Sequence, residues 1–248
     1  MGKSRVVATI EARMTSSRLP GKVLMMAGGR PLLQILIERL KRAPSLDDIV
    51  VATTTNPTDD PVAALALSQD VLVFRGSEED VLGRVCGALR MSNADICVEI
   101  TGDCPLVDPL IVEETISEFR SSCDTHSYVS NSDPCRSVPA GLDVQVFFAD
   151  ALYRLEQESS NPEDREHVSL GFYRPEGNGR WNPRFITHRS CIGAEHMLVT
   201  LDYREDYELI KKAHEDLATD FPNYGASQLI DWLGAHPEMQ QKCRSIRT

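Results

Sequence analysis

The sequence predicts an α/β fold, a mostly parallel sheet flanked by helices. Three observations point there. Four short β-prone apolar runs, 6–10, 49–53, 71–74 and 96–100, alternate with amphipathic stretches, the pattern of strands joined by crossover helices. The first run ends in a loop dense in cations and hydroxyls. The fourth ends in a turn that carries carboxylates, at the same expected edge of the sheet.

Each element follows from a local pattern. The first helix is expected over 31–41, directly after the basic loop, with Leu33, Leu36, Ile37 and Leu40 on one face and Pro31 suited to an early position. A second begins near Ser77, where Ser77 and Asp80 have capping-box spacing ahead of the stripe Val81, Leu82, Val85 and Leu89. A third follows Asp108-Pro109 and runs to Phe119, with Asp108 as its cap. The stretch 121–140, rich in Ser, Asp and Pro, reads as a long loop or a short hairpin. Beyond it come a strand 142–147, a helix 149–156, a helix opened by Asn161-Pro162, a strand ending near Leu201 and a helix 205–217. One domain over 1–248 is expected, with an insertion lobe at about 121–190.

Composition narrows the function. At 248 residues and 42% apolar, the chain buries a substantial core. Its formal charge of −11 argues against a general nucleic-acid surface, so any phosphate site has to be local. Seven cysteines without a C-x-x-C pair suggest neither a disulfide framework nor a zinc knuckle, and a reducing cytoplasm is expected. Residues 1–10 are too short an apolar stretch for a membrane span.

Residues 12–22 place three cations (Arg13, Arg18, Lys22), three hydroxyls and one glycine in eleven positions. At the carboxyl end of a first parallel strand this is an anion-binding composition. Arg13 offers a planar fork, and Lys22 a movable point charge suited to an oxygen whose charge grows during reaction. Composition alone leaves a solvated basic loop equally open. Neither a Walker A motif nor a G-x-G-x-x-G turn is present. Ala12, Arg13, Ser16, Arg18, Leu19, Pro20, Gly21 and Lys22 together resemble the signature of the cytidylyltransferases that activate acidic sugars, such as the CMP-Kdo synthetases, and more closely the spore coat polysaccharide biosynthesis protein F-like branch.

That resemblance implies a Rossmann-like sheet of the nucleotide-diphospho-sugar transferase type, CTP as donor, a small acidic acceptor and Mg2+ as cofactor. It places the nucleotide on Ala12, Arg13, Ser16, Arg18, Gly21, Lys22, Arg75, Thr101 and Asp103. Arg13, Lys22 and Asp103 are its catalytic candidates. Asp103, in a turn similar to the family's G-D-x-P-L, is the first metal ligand, and Asp202 the second, with Asp206 as a helix cap. Cys104, beside Asp103, reads as a packing residue, because the acid raises a thiol pKa.

On the acceptor side, 139–147 resembles a family segment P-D-G-L-D-V-E-V-F, with Ala140 and Gln145 in place of two acids. Gly141, Asp143, Gln145, Glu166 and His167 are the acceptor candidates, and Arg75 is placed to reach nucleotide or acceptor. Dimerisation through the lobe is a further implication. A guanylyl- or uridylyltransferase shares the phosphate and metal groups, and a silent nucleotide-binding protein is kept open by Ala140 and Gln145.

Overall fold

The computed structural model describes residues 4–247 apart from 124, 133 and 175–179, which lie outside the described residues, as do parts of the expected lobe. The first half alternates strand and helix. β1 (Val6–Glu11) leads through a 3-10 turn to a small hairpin, β2 (Met26–Ala27) and β3 (Arg30–Pro31), and then to α1 (Leu32–Leu40). The helix was expected to follow the basic loop directly; Gly28 and Gly29, both at positive φ, instead turn the hairpin in between. Leu33, Leu36, Ile37 and Leu40 are all fully buried.

β4 (Asp48–Thr54), α2 (Asp60–Ser68), β5 (Leu72–Gly76), α3 (Val81–Ser92), β6 (Ile96–Thr101) and α4 (Pro109–Ser122) follow. Asp80, not Ser77, caps α3: its carboxylate accepts from the Gly83 amide at 2.9 Å, while the Ser77 hydroxyl accepts from the amides of Glu79 and Asp80. Asp108 caps α4 through the Leu110 amide at 2.9 Å.

The second half contains β7 (Tyr128–Ser130), β8 (Gln145–Phe148), α5 (Ala149–Glu158), α6 (Pro162–Glu166), α7 (Leu170–Tyr173), β9 (Arg184–Phe185), α8 (Arg204–Asp220), α9 (Ala226–Ala235) and α10 (Pro237–Ser245). Two expected strands are corrected. At 142–144 the backbone is held by the side chain of Asn131, which accepts from Val144 N and donates to Leu142 O, so pairing starts only at Gln145. Near Leu201 there is an isolated bridge, Ala140 to Leu198, and the Gln240 side chain takes both backbone groups of Leu198 in place of a neighbouring strand.

The main sheet has the order β5-β4-β1-β6-β8-β7-β9. β8 runs antiparallel to β6 and to β7, and every other pairing is parallel. The stretch 121–190 therefore continues the main sheet. Its own aromatic cluster, including Tyr128, Phe147, Phe172 and Trp181, packs under α3 and α5.

Candidate functional site

The site forms where two strand ends meet. β1 and β6 pair with Glu11 opposite Thr101. Because β4 and β5 lie to one side of β1 and β6 to the other, this pair is the switch point at which an open α/β sheet leaves a crevice. Gly102 lets the two ends touch: its N–H donates to Glu11 O at 2.9 Å, and a Cβ there would lie 2.6 Å from that same oxygen.

The basic loop is held in a defined fold, although Arg18 stays half exposed. Gly21 N donates to Met14 O at 2.8 Å, and Met14 N donates to the buried Asp59 at 2.7 Å. Lys22 Nζ then reaches Leu201 O at 2.6 Å and Asp202 Oδ1 at 3.0 Å, and lies 3.6 Å from Asp103 Oδ2. Arg18 Nη2 meets the same Asp202 oxygen at 2.6 Å. Leu201 N donates to Asp103 O at 2.9 Å, which ties the two carboxylate segments together. Asp103 also accepts from the Thr101 hydroxyl. Asp206 accepts from the amides of Asp202 and Tyr203 and is gripped by both terminal nitrogens of Arg247, so it caps α8 and stays out of the cleft.

Ala12, Arg13, Ser16, Arg18, Lys22, Thr101 and Asp103 line one cleft of about 490 Å³, together with Glu166 and His167. Two expected nucleotide residues are not brought there. Gly21 stays within the turn of the loop. Arg75 donates to the carbonyls of Thr54 and Asn56 and pairs with Asp60 at 2.6 Å, so its guanidinium fastens the loop after β4. Arg13 lies 3.3 Å from Glu78, whose carboxyl the Thr15 hydroxyl, helped by Asn56 and Arg13, holds below the ordinary range. The Cys104 thiol is buried and pushed far up, chiefly by burial and then by Asp103, so it supplies no nucleophile.

A second lobe of 370 Å³ opens beside the first, sharing Glu11, Thr101, Glu166 and His167 with it. Of the acceptor candidates, Gln145, Glu166 and His167 line it. Gly141 and Asp143 do not. A Cβ on Gly141 would lie 2.5 Å from the Val199 backbone, and Asp143 pairs with Arg136 and accepts from Gly141 N, so both shape the adjoining loop. Sequence reasoning passed over Glu11 and Glu99, which line these cavities. The available signal was an acid set within an otherwise apolar strand, VVATIE and ICVEIT.

A family model for cytidylyltransferases matches residues 7–221. The chain belongs to the cytidylyltransferase family. Among full-length relatives of this cytidylyltransferase-family chain are an uncharacterised protein of Methanocaldococcus jannaschii, 32% identical with 98% of this chain and 96% of the relative covered, and the spore coat polysaccharide biosynthesis protein SpsF of Bacillus subtilis, 32% identical with 94% and 95% covered. The 3-deoxy-manno-octulosonate cytidylyltransferase of Syntrophobacter fumaroxidans is 37% identical over about half of each chain, 49% and 48%. A cytidylyltransferase structure from Leptospira borgpetersenii superposes with a TM-score of 0.87 at 29% identity, covering 96% of this chain and 98% of that one. A CMP:2-keto-3-deoxy-manno-octonic acid synthetase complexed with CTP shares the fold at a TM-score of 0.63 and 20% identity, covering 88% and 100%.

The donor set of this cytidylyltransferase-family site suits a hard divalent cation. Asp103 and Asp202 turn carboxylate oxygens toward one cationic centre, Lys22 Nζ. Among the described residues no group of three or more His, Cys, Asp or Glu is gathered for a metal. A cation here would draw its other ligands from phosphate and water, as magnesium does.

Proposed function

We propose that this chain transfers CMP from CTP to an acidic sugar, releasing pyrophosphate, with Mg2+ as its cofactor. One observation carries the reading: the cations of the loop after β1 and Asp103 of the turn after β6 line one cleft, and Asp202 pairs with two of those cations, Arg18 and Lys22. Anion-binding and cation-binding groups are thus within one ligand's length. A nucleoside triphosphate with its counter-ion presents both charges.

Ala12 and Arg13 would sit by the base, with Ser16, Arg18 and Lys22 along the phosphates. Magnesium, held by Asp103 and Asp202, would neutralise charge on the phosphate oxygens. An acceptor oxygen presented from the Gln145, Glu166 and His167 lobe attacks the α-phosphorus. The new O–P bond forms as the bond to the bridging α–β oxygen breaks, pyrophosphate leaves toward Lys22, and the hydroxyl proton passes to water. Positioning and charge neutralisation supply the rate, so no covalent nucleophile is needed. The names of relatives support the acceptor class: octulosonates are acidic sugars, and SpsF is named for polysaccharide biosynthesis. Self-association through 121–190 belongs to the same reading, and light scattering checks it.

The test is incubation with magnesium, each of the four nucleoside triphosphates and a panel of acidic sugars, following pyrophosphate. Acceptor-dependent release with CTP is expected. Release with GTP or UTP alone would move the base assignment, and no release with any nucleotide would sink the proposal.

A further inference from the structure

The second lobe holds two acids that the nucleotide chemistry above does not use. Glu11 and Glu99 project on the same face of the sheet, on adjacent strands: Glu99 pairs in register with Thr9, two residues before Glu11. Gln145 lies directly opposite Glu99 on β8. Glu99 is 4% exposed, yet the second lobe reaches both acids and the first reaches Glu11.

Both oxygens of Glu11 and Oε2 of Glu99 are buried without a hydrogen-bond partner among the described residues. Buried acceptors in that condition are costly, and native structures keep few of them. The nearby cation does not satisfy them. Arg84 spends its guanidinium on the carbonyls of Ala52, Ser77 and Glu78. Burial raises both carboxyls, Glu11 to about 7, against the pull of Thr9 and Arg84, and Glu99 well above the ordinary value, where the charge of Glu11 adds to the rise.

Gln145 completes the pattern. Its Oε1 accepts from the hydroxyls of Tyr128 and Ser169, a neutral arrangement. A carboxylate at 145 would stand in register with Glu99, where like charges oppose each other directly. An amide at 145 therefore fits a site whose acids are Glu99 and Glu11.

Resting on the cytidylyltransferase reading, we infer that Glu11 and Glu99 form an ammonium-recognising subsite, so that the acceptor is an acidic sugar that also bears an amino group. An ammonium brings several N–H donors and one positive charge to a place with unpartnered acceptor oxygens, beside an arginine, Arg84, whose own donors are spent on carbonyls. A hydroxyl brings a single donor and no charge. The acceptor's own carboxylate is excluded from this lobe by the two acids and has to face the Arg18 and Lys22 side of the cleft.

The experiment is calorimetric titration of the full chain with CTP and magnesium present. The probes are matched amino and hydroxyl sugars: glucosamine with glucose, mannosamine with mannose, and 8-amino-3,8-dideoxy-manno-octulosonate with 3-deoxy-manno-octulosonate. At least one amino member is expected to bind tenfold or more tightly than its hydroxyl counterpart. Glu99→Gln should bring that ratio close to one while CTP affinity stays within threefold of wild type, with a melting curve to establish that the variant folds. Equal or better binding of the hydroxyl members overturns the subsite, as does failure of every amino member to bind, or discrimination that survives both Glu99→Gln and Glu11→Gln. CTP titrated alone separates the two ideas: if CTP binds and amine preference is absent, only the subsite fails, whereas absence of CTP binding removes the reading beneath it.

Discussion

Lys22→Met removes the cation at the centre of the cleft while keeping a stem of similar length. The Lys22 side chain is only 12% exposed, and its ammonium lies within 4 Å of two carboxylates, Asp202 at 3.0 Å and Asp103 at 3.6 Å, besides Leu201 O at 2.6 Å. Charge-assisted bonds of this kind contribute about 1.5–3 kcal/mol each. Arg18 still reaches Asp202 in the variant, so a net stability loss of about 1–3 kcal/mol is expected rather than their sum. The loss in turnover is larger. If Lys22 receives the charge that builds on departing pyrophosphate, removing it should lower kcat on the order of 10²–10³-fold, the usual effect of deleting one preorganised electrostatic group. CTP affinity should fall less, because Lys22 is already engaged by carboxylates before the nucleotide arrives. Pyrophosphate release at saturating CTP, read beside a thermal melt, separates the two effects. A variant with lowered Tm but kcat within threefold of wild type would show that Lys22 is a strut between two acids and takes no part in the transfer.

Gly102→Ala should cost about 1–3 kcal/mol, because its Cβ would lie 2.6 Å from Glu11 O and the β6 turn has to move; the same movement displaces Asp103, so kcat should drop more than urea stability does. His214 is buried, and burial, with Arg30 and Arg39 adding, lowers its pKa to about 4. An arginine only donates, so Nε2 accepts from Arg30 at 3.2 Å and Nδ1–H donates to Tyr224 at 2.9 Å. Between about pH 6.5 and 4 the unfolded chain holds the proton and the folded chain does not. Stability from this group is therefore complete above pH 7 and is lost as pH falls through that window, by up to about 3 kcal/mol. Urea midpoints of wild type and His214→Gln at pH 7 and pH 5 should diverge at the higher pH and converge at the lower. Leu36→Ala, at a fully buried position of α1, should cost about 2–5 kcal/mol by urea titration while leaving the KM for CTP unchanged.

Much of this architecture was legible because it rests on local patterns. The runs that became β1, β4, β5 and β6 are apolar and β-branched, and the stripe of α1 is regular enough to fix its buried face. The basic loop and the Asp103 turn could be placed at one sheet edge because parallel strands send their carboxyl ends the same way. What could not be read was how distant side chains replace expected backbone partners. Asn131 satisfies 142–144 and Gln240 satisfies Leu198, so two apolar runs that look like strands are held by amides far away in sequence. Arg75 shows the same limit: it was expected to reach nucleotide or acceptor, and the carbonyls of Thr54 and Asn56 take its guanidinium instead. Glu11 and Glu99 were overlooked for another reason. Each ends or interrupts an apolar strand singly, and only the β1–β6 register places them on one face.

The central claim is transfer at the α-phosphorus of CTP, governed by the carboxylates facing the basic loop. Its most direct test uses CTP labelled on the α-phosphate, with magnesium and an accepted acidic sugar, comparing wild type with Asp103→Asn. The label is predicted to move onto the sugar as CMP while unlabelled pyrophosphate is released, with transfer abolished in Asp103→Asn although the variant folds. Label appearing as free phosphate or remaining wholly in CTP with every acceptor, or full transfer by Asp103→Asn, would contradict it.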